Sequence, residues 1–138
     1  MAIEKKYSIM GGDFSRAGNA SSQVKKLLKQ LEIDPGKIKR IAIALYEAEV
    51  NIVAHSLEGC IFISIEKDKI TMILTDKGPG IPDIGQAMTE GYSTASKKVR
   101  EMGFGAGMGL SNMKRNSDLF EISSKVGEGT SIKMVNYF

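Results

Sequence analysis

A chain of 138 residues can build one hydrophobic core and is too short for two. A net charge of +3 without a long basic run, few aromatics and no tryptophan argue against direct nucleic-acid binding. No apolar stretch reaches the length of a membrane span, Met1 to Tyr7 lacks the apolar run of a signal peptide, and Cys60 is the sole cysteine, so a cytoplasmic protein without membrane attachment or internal disulfide is expected.

Residues 5–10 read as a short edge strand that Gly11-Gly12-Asp13 breaks. Val24, Leu27, Leu28 and Leu31 recur at helical spacing, so residues 17–32 read as an amphipathic helix. Asp34-Pro35 signals a second helix start, and Ile38, Ile41, Leu45, Ala48 and Ile52 give that helix an apolar stripe running to about Ser56. Glu47, Asn51 and His55 share another face, one turn above the next. Spacing alone leaves two readings for them, a polar row lining a cleft or ordinary surface residues.

Ile61, Ile63 and Ile65 alternate in one strand, Ile70, Met72 and Leu74 in the next, with Glu66 to Lys69 as the turn. Cys60, at the start of the first, reads as a buried thiol. Period two carries on to Asp76, placing an acid on the core face, where it is costly without a partner. Residues 82–108 are mostly polar and form a long connection, of a kind that is usually functional, with a short helix near 83–90. Glycines alternate at 103, 105, 107 and 109 just before another short helix that carries Leu110 and Met113. The run fits neither the P-loop nor the dinucleotide fingerprint. It is either a flexible linker or a bare backbone able to wrap an anion. Leu119–Ser124 and Thr130–Tyr137 form a terminal hairpin around Gly127-Glu128-Gly129. These elements give an α+β two-layer sandwich, with about three helices on one face of a mixed, mainly antiparallel sheet.

Four blocks occur in order: Glu47-Ala48-Glu49-Val50-Asn51, Asp76-Lys77-Gly78-Pro79-Gly80-Ile81, Gly105-Ala106-Gly107-Met108-Gly109-Leu110 and Gly127-Glu128-Gly129-Thr130. Together they resemble the GHKL ATPase superfamily, with its Bergerat fold, over nearly the whole chain. Within it the chain is most similar to the small serine kinases that act as anti-sigma factors or switch proteins. Its length leaves no room for a second, hydrolysis-using domain, and His55 is its only histidine, so no phosphoacceptor histidine is available. Gly91-Tyr92-Ser93-Thr94 also looks like that branch.

The resemblance implies a single ATP-binding kinase domain over residues 1–138 with an ATP lid at about 82–108. It implies ATP and Mg²⁺ as cofactors, Asn51 as metal ligand and Glu47 as catalytic base. Asp76 would accept the adenine amino group and repel guanine. Gly78 and Gly80 would let backbone and water approach the ring, and Thr130 would reach it through water. Gly105, Gly107, Met108, Gly109 and Leu110 would line the phosphates. Lys97, Lys98 and Arg100 would either approach the γ-phosphate or remain a solvated basic stretch. The implied substrate is a serine or threonine of a STAS-class antagonist. A sigma factor or signalling protein would be the alternate partner, and a homodimer is expected. The rival readings are an ATP-gated binding module that sequesters a partner without catalysis, and a slow ATPase with no protein substrate.

Overall fold

Alternating side chains along residues 58–77 build the hairpin on which the fold is arranged. The computed structural model describes residues 2–81, 84–88 and 109–138. Strands β2 (Glu58–Ile65) and β3 (Lys69–Lys77) pair antiparallel, with Ile61 opposite Leu74, Ile63 opposite Met72 and Ile65 opposite Ile70. All six are buried, so one face of the hairpin is wholly apolar. Cys60 belongs to the opposite parity, faces Ser8 and Thr75 in register, and is partly exposed rather than buried.

Strand β1 (Ile3–Met10) adds antiparallel to β2 as an edge. It begins two residues before the expected start, because an exposed strand with only Ile9 buried has little alternation to mark it. On the other side β5 (Gly129–Tyr137) pairs with β3, and β4 (Leu119–Lys125) pairs with β5. The order is β1-β2-β3-β5-β4. Every pairing among the described residues is antiparallel, which narrows the mixed sheet expected from sequence. Strands β3 and β4 do run the same way, but the tight β4–β5 turn folds β5 back between them.

Helices cover the apolar face. A 3₁₀ turn (Phe14–Arg16) leads through Gly18, at φ 94°, into α1 (Asn19–Gln30). Helix α2 (Pro35–His55) starts as its sequence signals, with Asp34 accepting from the Lys37 amide at 3.2 Å and Pro35 in the first turn. Helix α3 (Ile84–Ala87) falls within the expected 83–90, of which 83, 89 and 90 lie outside the described residues, and α4 (Gly109–Arg115) follows the glycine run. Ile41 and Leu45 of α2, Leu28 of α1 and Met113 of α4 meet Ile61, Ile63, Met72 and Met134 of the sheet in one cluster. Met72, Met113 and Met134 are fully buried, as flexible fillers between layers. Truncating a side chain as enclosed as Ile63 to Ala costs about 2–5 kcal/mol. No described helix is long and apolar enough to cross a membrane.

Candidate active site

Glu47 and Asn51 lie on the flank of α2 beside its buried stripe, and both are half-buried. What covers them is the start of α4. A Cβ added at Gly109 would lie 3.2 Å from Asn51 Oδ1 and 3.5 Å from Glu47 Oε2. Two side-chain oxygens from successive turns thus converge on one bare stretch of backbone. The other carboxylate oxygen, Glu47 Oε1, accepts from Asn112 Nδ2 at 3.3 Å. Of the expected phosphate-contacting residues, Gly109 and Leu110 are described, with Leu110 buried against the core. Gly105, Gly107 and Met108 lie outside the described residues, as do Lys97, Lys98, Arg100 and Gly91 to Thr94; of the expected lid only 84–88 is described.

Asp76 stands where alternation puts it, on the helix-facing side of β3 at its end. Its Oδ1 accepts from the Thr130 amide at 3.1 Å, and the Ser56 hydroxyl donates to the same carboxylate. Burial pushes the carboxyl above the ordinary carboxylate range, while the Ser56 and Thr130 hydrogen bonds and the nearby His55 charge pull it down. Burial wins, so the ionised group is under-solvated where it sits and would gain from one more donor. His55, the third of the polar row on α2, stands within electrostatic reach of Asp76.

The glycines near Asp76 are accounted for by close packing. A Cβ at Gly129 would fall 2.0 Å from the Asp76 carbonyl oxygen, so only glycine lets the β4–β5 turn close on the end of β3 and deliver the Thr130 amide. Gly80, at φ 75°, presses on the Lys125 carbonyl in the same way, and the Gly127 amide donates to Pro79 O at 2.9 Å. Ser124 Oγ accepts from the Ile81 amide at 2.7 Å and lies 2.8 Å from Thr130 Oγ1. The loop after β3 is thereby clasped to the terminal hairpin. A cavity of about 570 Å³ opens beside it, lined by Phe14, Val53, His55, Ser56, Gly78 and Gly127 among others. It adjoins the Asp76 end of the site and does not reach Glu47 or Asn51.

These placements give the site a direction. Ser56, bonded to Asp76, closes the C-terminal end of α2; Glu47 is nine residues earlier, roughly 13 Å along the helix axis. One end offers a desolvated acceptor, the other two oxygens against bare backbone. No group of three or more His, Cys, Asp or Glu able to hold a metal occurs among the described residues. Asn51 Oδ1 and Glu47 Oε2 are oxygens of the kind that a hard cation accepts alongside water.

Sequence reasoning missed three participants. Ser56 and Asn112 had no motif, and their partners are set by tertiary packing. Glu49, between Glu47 and Asn51 in sequence, points to the opposite flank of α2. It is 2% exposed and accepts from the Ala20 amide at 3.0 Å and the Ser21 amide at 3.1 Å. It caps the N-terminus of α1 from another helix. Its charge, after burial, also raises the Tyr7 phenol.

The family model described as histidine kinase-, DNA gyrase B- and HSP90-like ATPase matches residues 36–136. Over 102 residues, 71% of each chain, the sequence is 36% identical to the serine/threonine-protein kinase RsbT of Bacillus subtilis. Over 123 residues, 86% of this chain and 82% of the relative, it is 34% identical to an anti-sigma F factor of Thermoanaerobacter sp.. Among solved structures, the mycobacterial sensor histidine kinase MprB superposes with a TM-score of 0.51 over 96% of this chain and 97% of its own, at 17% identity, a likeness of fold alone.

Proposed function

The chain belongs to the histidine kinase-, DNA gyrase B- and HSP90-like ATPase family, and on that premise we propose that it is an ATP-dependent serine/threonine kinase of the anti-sigma type. It works as one cytoplasmic ATP-binding domain whose lid is the segment at about 82–108. Its substrate is a serine or threonine of a STAS-class antagonist. The phosphorylation state of that antagonist decides whether the kinase holds it or a second partner, such as a sigma factor or signalling protein, and the kinase works as a homodimer.

The observation that carries this reading is Asp76: a half-buried acid on the core face, where the hydrogen bonds from Thr130 and Ser56 do not offset the cost of burial. An exocyclic amino group is the donor it lacks, so adenine fits and the guanine carbonyl does not. Gly78 and Gly80 keep the ring edge open, and the Thr130 hydroxyl reaches the base through water. Asn51 Oδ1 holds Mg²⁺, which neutralises phosphate charge when the nucleotide is bound. The backbone of Gly105, Gly107, Met108, Gly109 and Leu110 wraps the phosphates. Glu47 takes the proton of the attacking hydroxyl as the new oxygen–phosphorus bond forms and the bond to the departing ADP oxygen breaks.

Labelled ATP, Mg²⁺ and a STAS-class antagonist from the same gene neighbourhood test this directly. Label should pass to the antagonist, and Glu47→Ala should stop transfer while keeping nucleotide affinity. Nucleotide binding with no transfer in the wild type would replace the kinase by an ATP-gated binding module.

A further inference from the structure

Asn112 has no place in the four sequence blocks, yet its side chain touches the carboxylate on which transfer depends. We propose that Asn112 is a positioning residue that commits one oxygen of Glu47 and thereby aims the other at the reacting hydroxyl. This rests on the reading of Glu47 as the base.

The contact is Asn112 Nδ2 donating to Glu47 Oε1 at 3.3 Å. That length is at the long end, as catalytic hydrogen bonds often are before the substrate is bound. An asparagine amide can face either way, and a second bond settles which. Arg115 Nη1, one turn further along α4, donates to Asn112 Oδ1 at 3.3 Å, so the NH₂ end is the one left for Glu47. With Oε1 occupied, Oε2 is the oxygen that faces Gly109 and Asn51 Oδ1.

The anchor is itself held. Met113 is fully buried and Leu110 nearly so, which fixes the rotation of α4 about its axis. Asn136 Nδ2 donates to Asn116 O at 2.8 Å and pins the far end of the helix to β5. Ser117 Oγ donates to Met113 O at 2.6 Å. Asn112 therefore reaches Glu47 from a rigid frame, as a group that orients a base must. Asparagine is also a poor helix former, and α4 has only seven residues, so propensity gives no reason for it there. A neutral amide suits the task better than lysine or arginine. It fixes the carboxylate without pairing its charge, and leaves it able to accept a proton.

The test uses the full chain with labelled ATP, Mg²⁺ and the antagonist. Asn112→Leu removes the donor at similar volume, Asn112→Asp replaces it with an acceptor at the same shape, and Asn112→Gln keeps an amide. Leu and Asp should lower kcat about tenfold or more, the cost of a loosened base, with KM for ATP, nucleotide Kd and Tm held within about twofold or a degree or two. Gln should recover most of the rate. In a Glu47→Gln background Asn112→Leu should add nothing. The proposal alone is overturned if Glu47→Gln loses transfer but Asn112→Leu and Asn112→Asp do not. It is overturned equally if their loss persists undiminished in the Glu47→Gln background, or falls wholly in nucleotide affinity. A wild-type rate in Glu47→Gln overturns the base assignment and this proposal with it.

Discussion

Replacing Asp76 by Asn separates recognition from stability, because the two should move in opposite directions. The asparagine keeps an oxygen for the Thr130 amide, which sits 3.1 Å from Asp76 Oδ1. Its NH₂ takes the place of the second oxygen, so an acceptor facing the adenine amino group becomes a donor facing a donor. Losing a charge-assisted hydrogen bond while leaving an unmatched buried group costs about 2–3 kcal/mol. ATP affinity should therefore fall roughly 30- to 150-fold. The empty protein should not suffer. Burial raises the Asp76 carboxyl, so its ionised form is disfavoured in the fold at neutral pH, and removing that charge should leave Tm unchanged or slightly higher. The guanine carbonyl, repelled by the carboxylate, can accept from the NH₂ of the new amide, so preference for ATP over GTP should shrink. Isothermal titration with both nucleotides and a thermal melt read all three quantities. ATP affinity within about twofold of wild type would refute the reasoning, and so would a loss of affinity matched by a collapse in Tm.

Three further perturbations probe the surroundings. Glu49→Ala strips two amides at the start of α1 of their acceptor and should cost about 3 kcal/mol, roughly 10 °C in Tm, without a comparable loss of nucleotide affinity at 25 °C; a melt shifted by less than about 3 °C would remove the cap. Gly109→Ala places a methyl 3.2 Å from Asn51 Oδ1, so the Mg²⁺-dependent part of nucleotide affinity should drop about tenfold while stability holds or rises; equal affinity with and without metal in the wild type would exclude Asn51 as a ligand. The Tyr137 amide, then Arg40, hold the Asp118 carboxyl below the usual carboxylate range. That contribution is present above the unfolded value of about pH 4 and is lost as pH falls through the lower folded value. Urea unfolding should show Asp118→Asn weaker by at most about 1 kcal/mol at pH 7, with the gap narrowing as pH falls below the unfolded value of about 4; a constant gap would contradict the assignment.

Local pattern carried much of this site. Period two through Ile70, Met72 and Leu74 put Asp76 on the core face, and four-residue spacing put Glu47 and Asn51 on one flank of α2. The Asp34-Pro35 start was legible because capping is a matter of three adjacent residues. What escaped depended on partners far along the chain. Glu49 reads as one more polar residue of α2 until α1, 28 and 29 residues earlier, brings two amides to it. Asn112 meets Glu47 across 65 residues, and only the packing of α4 on α2 makes that meeting. Gly129 was legible as part of the hairpin turn, but only the tertiary packing shows that it lets that turn close on the Asp76 carbonyl. The position of β5 between β3 and β4 was likewise unreadable, since hairpin pattern fixes the partner of β4 but not which neighbour the pair joins.

A crystal structure of the full chain with a non-hydrolysable ATP analogue and Mg²⁺ tests the central assignment most directly. The expected result is the adenine amino group within hydrogen-bond distance of the Asp76 carboxylate and the metal on Asn51 Oδ1. A base seated elsewhere, with Asp76 bonded only to Thr130 and Ser56, would contradict it.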